Sequence, residues 1–166
     1  MFKIIVVFLA TVCAALAQQA KVTGELSVDG KPVKFTNVYS FMTQGFYDKE
    51  KSDTVVLLTN APLKEEEFRD ENVLRKLTRD GKLSFIKESI NDLGQIVNYT
   101  IGHPSFRMAA SGASSDHVFE GKADGKAVNG KVLTKITQRT PDGHKYVYSA
   151  TFNAPTLVRK DPGQKK

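Results

Sequence analysis

Three histidines are the residues best suited to chemistry here: His103, His117 and His144. A structural or catalytic zinc site draws on closely spaced ligands, as in HxxxH, with a further ligand elsewhere. None of the three follows such a spacing. Asp116-His117 is the only carboxylate–histidine neighbour pair, and adjacent residues of a strand point to opposite faces. His103 sits in a Gly-His-Pro break and His144 beside a turn glycine. No metal ligand set and no catalytic histidine is assigned from this pattern.

Nucleophilic serine chemistry asks for a serine on a strained turn, as in GxSxG. Ser111-Gly112-Ala113-Ser114 does not match it. Glycoside hydrolysis asks for two converging carboxylates. The Asp and Glu residues instead gather in the stretch 64–71 and beside glycines. Asp29, Asp80, Asp92, Asp124 and Asp142 all stand at or near Gly turns, where a short carboxylate bonds its own backbone. There is no GxGxxG and no GxxxxGK[ST], so no phosphate-cradling loop or nucleotide cofactor is expected. No catalytic, metal or cofactor residue is therefore predicted.

Aromatic side chains are the most suggestive group. Tyr39, Phe41, Tyr99, Tyr146 and Tyr148 fall on apolar phases of alternating segments. In a barrel of about eight strands such phases line an interior that is filled or holds one small ligand. These five are the ligand-pocket candidates. Asn98-Tyr99-Thr100 is an N-glycosylation sequon, relevant in a eukaryotic secretory pathway. Its Asn98 lies on the phase opposite Val97, Tyr99 and Ile101.

The elements that must position these residues are mostly strands. Period-two alternation marks 22–28, 31–42, 82–90, 95–101, 118–123, 128–138 and 145–153. Thr54 to Thr59 is a continuous apolar run, the mark of a strand buried on both faces. In the segment 31–42, the phase of Val33, Phe35, Asn37, Tyr39 and Phe41 is the more apolar and is expected to face the core. Asp29-Gly30, Asp124-Gly125 and Pro141-Asp142-Gly143 are hairpin signals. One helix is expected over Leu63 to Thr78, acidic at its start and basic at its end, in keeping with the helix dipole. Asp70 is the N-cap if only the second half is helical. The expected fold is mainly β: an antiparallel sandwich or closed barrel of about eight strands with one short helix.

The chain has 166 residues, with 24 Lys+Arg against 18 Asp+Glu for a net charge of +6. Length and composition fit one globular domain. Residues 1–17 read as a secretory signal peptide. Lys3 is the positive region, Ile4 to Leu9 the apolar run, and Ala15-Leu16-Ala17 the small-residue site, with cleavage between Ala17 and Gln18. The apolar stretch is short for a membrane span. The single cysteine, Cys13, lies inside it, so the mature chain carries neither disulfide nor thiolate site. Residues 18–156 form the β domain, and 157–166 read as a disordered basic tail.

Basic residues are dispersed rather than interleaved with aromatics, which argues against nucleic acid as a partner. The charge favours solubility and weak attraction to anionic surfaces. The resulting expectation is a secreted or periplasmic, non-catalytic domain that binds a small molecule, a glycan or a protein. The alternatives are a hydrolase or isomerase with a dispersed carboxylate/His site, and a structural protein of the envelope or extracellular matrix.

Overall fold

The computed structural model describes residues 20–157; residues 1–19, with the expected signal segment and its Ala17–Gln18 site, and residues 158–166 lie outside them. The described chain runs β1 (Lys21–Val28), β2 (Lys31–Lys34), β3 (Asn37–Gln44), β4 (Ser52–Thr59), α1 (Glu65–Phe68), α2 (Glu71–Arg79), β5 (Phe85–Ile90) and β6 (Ile96–Gly102). It continues through β7 (Ala110–Gly112), β8 (His117–Ala123), β9 (Ala127–Thr134), β10 (Gln138–Arg139) and β11 (Lys145–Leu157). The fold is mainly β, as expected, but with more strands and a second helix.

The strands form a curled sheet, a half-barrel, whose main path is β2-β1-β11-β3-β4-β5-β6-β7. β11 is the hinge of this curl. Its first part pairs antiparallel with β1, and its last residues pair parallel with β3 at Thr156–Ser40 and Leu157–Phe41. Along β11, β9 and β10 also pair antiparallel, and β8 pairs with β9. Leu157, placed in the tail by sequence, is thus the last strand residue.

Local chemistry explains the turns. Asp29 and Gly30 both have positive φ, 50° and 79°, the geometry of a tight two-residue hairpin. Gly24 is required for a different reason. A Cβ there would lie 2.2 Å from the Ser149 carbonyl oxygen and 2.4 Å from the Ala150 Cα, so β1 approaches β11 only without a side chain.

The segment 31–42 is not one strand. Thr36 interrupts it, with Phe35 N–H donating to the Gly24 carbonyl and Thr36 N–H to the Thr59 carbonyl. The break resets the alternation. Phe35 enters the concave core, while Tyr39 and Phe41 turn to the convex face. The helical stretch also breaks, at Arg69-Asp70. The Asp70 carboxylate accepts from the N–H groups of Asn72 (2.8 Å) and Val73 (3.4 Å) and caps α2.

Two cores result. The concave one joins Leu26, Val56, Leu58, Ile86, Ile101, Val132, Tyr148 and Phe152, drawn from both halves of the curl. The convex one packs Phe68 and Leu74 of the helices on Phe41, Val55, Leu57 and Phe85. β4 feeds both, Val56 and Leu58 to one and Val55 and Leu57 to the other, as its unbroken apolar run predicts.

Candidate functional site

The concave face carries a chain of polar groups inside the apolar core. Glu88 projects inward from β5 on the phase of Ile86 and Ile90. Tyr148 of β11 crosses the interior and donates its hydroxyl hydrogen bond to Glu88 Oε1. His117 Nδ1 lies 2.8 Å from the same hydroxyl oxygen and 4.0 Å from Glu88 Oε1. Tyr99, the β6 neighbour of Glu88, stacks on the His117 ring at 3.7 Å between centroids, with the ring planes nearly parallel at 13°. Tyr146 stands edge-on to His117 at 6.3 Å.

Burial sets the electrostatics of this chain. The side chains of His117 and Glu88 are 0% and 1% exposed. Burial pushes the Glu88 carboxyl up to about 8, against the opposing effect of the Tyr148 hydrogen bond. Burial likewise pushes His117 down to about 4, with Asp116 pulling weakly the other way. Loss of solvation disfavours the charged form of either group. Around pH 7 the acid is predominantly protonated and the imidazole is neutral. The Tyr148 and Tyr146 hydroxyls are raised above the ordinary tyrosine value, chiefly by burial. Two buried atoms of this polar group of side chains have no partner: Glu88 Oε2 and His117 Nε2.

β8 is paired along one edge only, with β9, and β6 pairs with β7 only over Tyr99–Ile101. No strand pairing joins β6 to β8, and the Tyr99–His117 stack bridges the seam. A cleft of about 610 Å³ opens along it, with Ile96, Val97, His117 and Phe119 in its wall and Tyr47 and Lys135 at its rim. Tyr47 is held there by its loop. Phe46 N–H donates to Asp53 Oδ2 at 2.7 Å, and a Lys51–Asp92 ion pair of 2.7 Å ties the β3–β4 loop to the β5–β6 turn.

A second histidine–carboxylate contact lies at the surface. His144 Nδ1 is 2.6 Å from Asp29 Oδ2, and its Nε2 is 4.0 Å from Asp142 Oδ2. Asp142 also accepts from the Arg107 N–H at 2.6 Å, which fastens the loop that buries Phe106. The hydrogen bond to Asp29 raises His144, and the same bond lowers Asp29.

The aromatic candidates divide. Tyr99, Tyr146 and Tyr148 meet around His117 on the concave side. Tyr39 and Phe41 do not join them. Both rings stack on Phe68 of α1, at 4.6 and 5.7 Å, and the Tyr39 hydroxyl accepts from the Leu63 N–H at 2.7 Å. The phase shift at Thr36 is the cause. Asn98 is half-buried on β6, on the face opposite Tyr99.

Sequence reasoning missed Glu88. The available signal was its phase: a lone carboxylate between Ile86 and Ile90, one strand residue apart from each. Among the described residues, no group of three or more His, Cys, Asp or Glu is placed to hold a metal ion. No helix among them is long and apolar enough to cross a membrane. No family model, curated protein or solved structure matches the chain.

Proposed function

We propose that this is an exported binding domain, an incompletely closed barrel that holds a small amphipathic molecule in the seam between β6 and β8. The observation that carries the reading is the open seam itself, an unpaired stretch with a cleft walled by Ile96, Val97 and Phe119 and rimmed by Tyr47 and Lys135. Apolar walls with a few convergent polar groups are what a small-molecule site needs. Export rests on the signal-like residues 1–17, and the barrel-like reading on the approach of β6 to β8 through Tyr99 and His117.

The test is binding of the neutral, environment-sensitive dye N-phenyl-1-naphthylamine to the wild-type chain and to Ser115→Trp. Ser115 is an exposed residue of the cleft wall, so the indole blocks the cleft without entering the core. Saturable fluorescence that is lost in the variant, at unchanged melting temperature, supports the reading. Equal signals from both proteins would remove it. The denatured mass of the exported chain tests cleavage before Gln18 and a glycan on Asn98.

A hydrolase or isomerase is the second reading, because a histidine and a carboxylate do approach each other in the interior. Glu88 is buried and is not part of the cleft wall, which makes this reading the weaker one. Turnover by the purified chain across ester, peptide and glycoside substrates, abolished by Glu88→Gln, would reverse that order.

A further inference from the structure

We propose that the seam cleft selects a neutral molecule with an apolar body and one hydroxyl or N–H donor, and that this donor bonds to Nε2 of His117. The proposal rests on the cleft reading above and adds the chemical class of the guest.

A tyrosine hydroxyl has one hydrogen to give. Tyr148 gives it to Glu88 Oε1, which places the proton of the neutral acid on Oε2, and the 2.8 Å contact with His117 is then made by the imidazole donating from Nδ1 to the Tyr148 oxygen. A neutral imidazole carries one N–H, and here Nδ1 holds it. Nε2 is then a bare acceptor, and it is buried without a partner. A buried acceptor left unpaired is costly, and such atoms in native proteins are met by water or ligand.

His117 is part of the cleft wall. The ring is reached by spreading side chains at the seam, since no backbone pairing joins β6 to β8. Tyr99 covers one ring face and Tyr146 stands at an edge, so the guest's polar group meets Nε2 among aromatic walls. An anion is disfavoured beside a lone pair in a desolvated pocket, and an ammonium would have to leave water without a counter-charge. A hydroxyl or amide N–H meets the acceptor without either cost. Phenols and long-chain alcohols fit this description.

The experiment compares 4-butylphenol with 4-butylanisole, which has the same body with its donor capped by a methyl group. Calorimetric titration of the full-length chain is expected to show the phenol binding on the order of tenfold tighter. The ratio should fall to about one in His117→Phe, because the variant has no acceptor there. Long-range proton–nitrogen NMR of the wild-type imidazole provides a readout that needs no variant. It should show Nδ1 protonated in the free chain and a shift confined to Nε2 when the phenol is added. Equal affinities for the two compounds would overturn this inference and leave the cleft reading standing. Binding of neither would remove both. An Nε2–H tautomer in the free chain would overturn the donor assignment by itself.

Discussion

Two histidine–carboxylate contacts in one small domain behave in opposite ways. His144 and Asp29 join two turns at the surface, with side chains 31% and 45% exposed. Their 2.6 Å bond stabilises the charged form of each, raising the histidine and lowering the aspartate. His117 and Glu88 lie in the concave core, 4.0 Å apart with Tyr148 between them. There burial lowers the histidine and raises the glutamate, so both are held toward the uncharged form. The residue types are nearly the same. Water decides whether they act as an ion pair or as a neutral hydrogen-bonded chain, because an isolated buried charge costs more than its partner returns.

Tyr148 is the group whose loss should cost the buried site most. In Tyr148→Phe the ring still fills the core, but Glu88 Oε1 and His117 Nδ1 lose their shared partner. Unpaired buried groups cost about 1–3 kcal/mol each, so a loss of roughly 2–6 kcal/mol is expected in urea unfolding. A loss below about 1 kcal/mol would show that water enters the chain freely.

The next effect is a pH dependence whose sign follows from the two buried shifts. Glu88 rises from 4.5 to about 8, so its contribution is full below pH 4.5 and is lost as pH climbs to 8. His117 falls from 6.5 to about 4, so its contribution grows from pH 4 to pH 6.5 and is then constant. Between pH 4.5 and 6.5 the slopes cancel. Above pH 6.5 only the Glu88 slope remains, and stability should fall by about 2 kcal/mol by pH 8. Glu88→Gln should flatten the greater part of that fall and expose the His117 rise below pH 6.5. Denaturant midpoints at half-unit pH steps check both. A wild-type curve that stays flat to pH 8 would show Glu88 ionised and solvated.

The surface pair should give the smallest effect. Asp29→Asn leaves His144 without its strongest partner, and its NMR titration should move back toward the ordinary histidine value. The accompanying change in melting temperature should be small and should shrink further with added salt, as screening acts on exposed charges. A stability loss matching that of Tyr148→Phe would mean that burial does not separate the two sites.

Much of this architecture was legible in the sequence. The Asp29-Gly30 turn, the doubly buried run of β4, and the inward phases of Tyr146, Tyr148 and Phe152 follow from local chemistry and alternation. They hold because each is fixed by residues close together in the chain. The 31–42 segment shows the limit. Its alternation continues on paper through Thr36, but two backbone hydrogen bonds to Gly24 and Thr59 reset it. That reset sends Tyr39 and Phe41 under α1 rather than into the concave core.

The sequence by itself determined the strand-rich class and the main turns, and offered Asp70 as a cap on condition of a shorter helix, because turn chemistry and periodicity are local. The tertiary structure alone decided the partnership of Glu88, Tyr148 and His117. These residues belong to β5, β11 and β8, and only the curl of the sheet around β11 brings them within hydrogen-bond reach. It also decided their charge state, since burial, not residue type, moves the glutamate and the histidine toward neutrality.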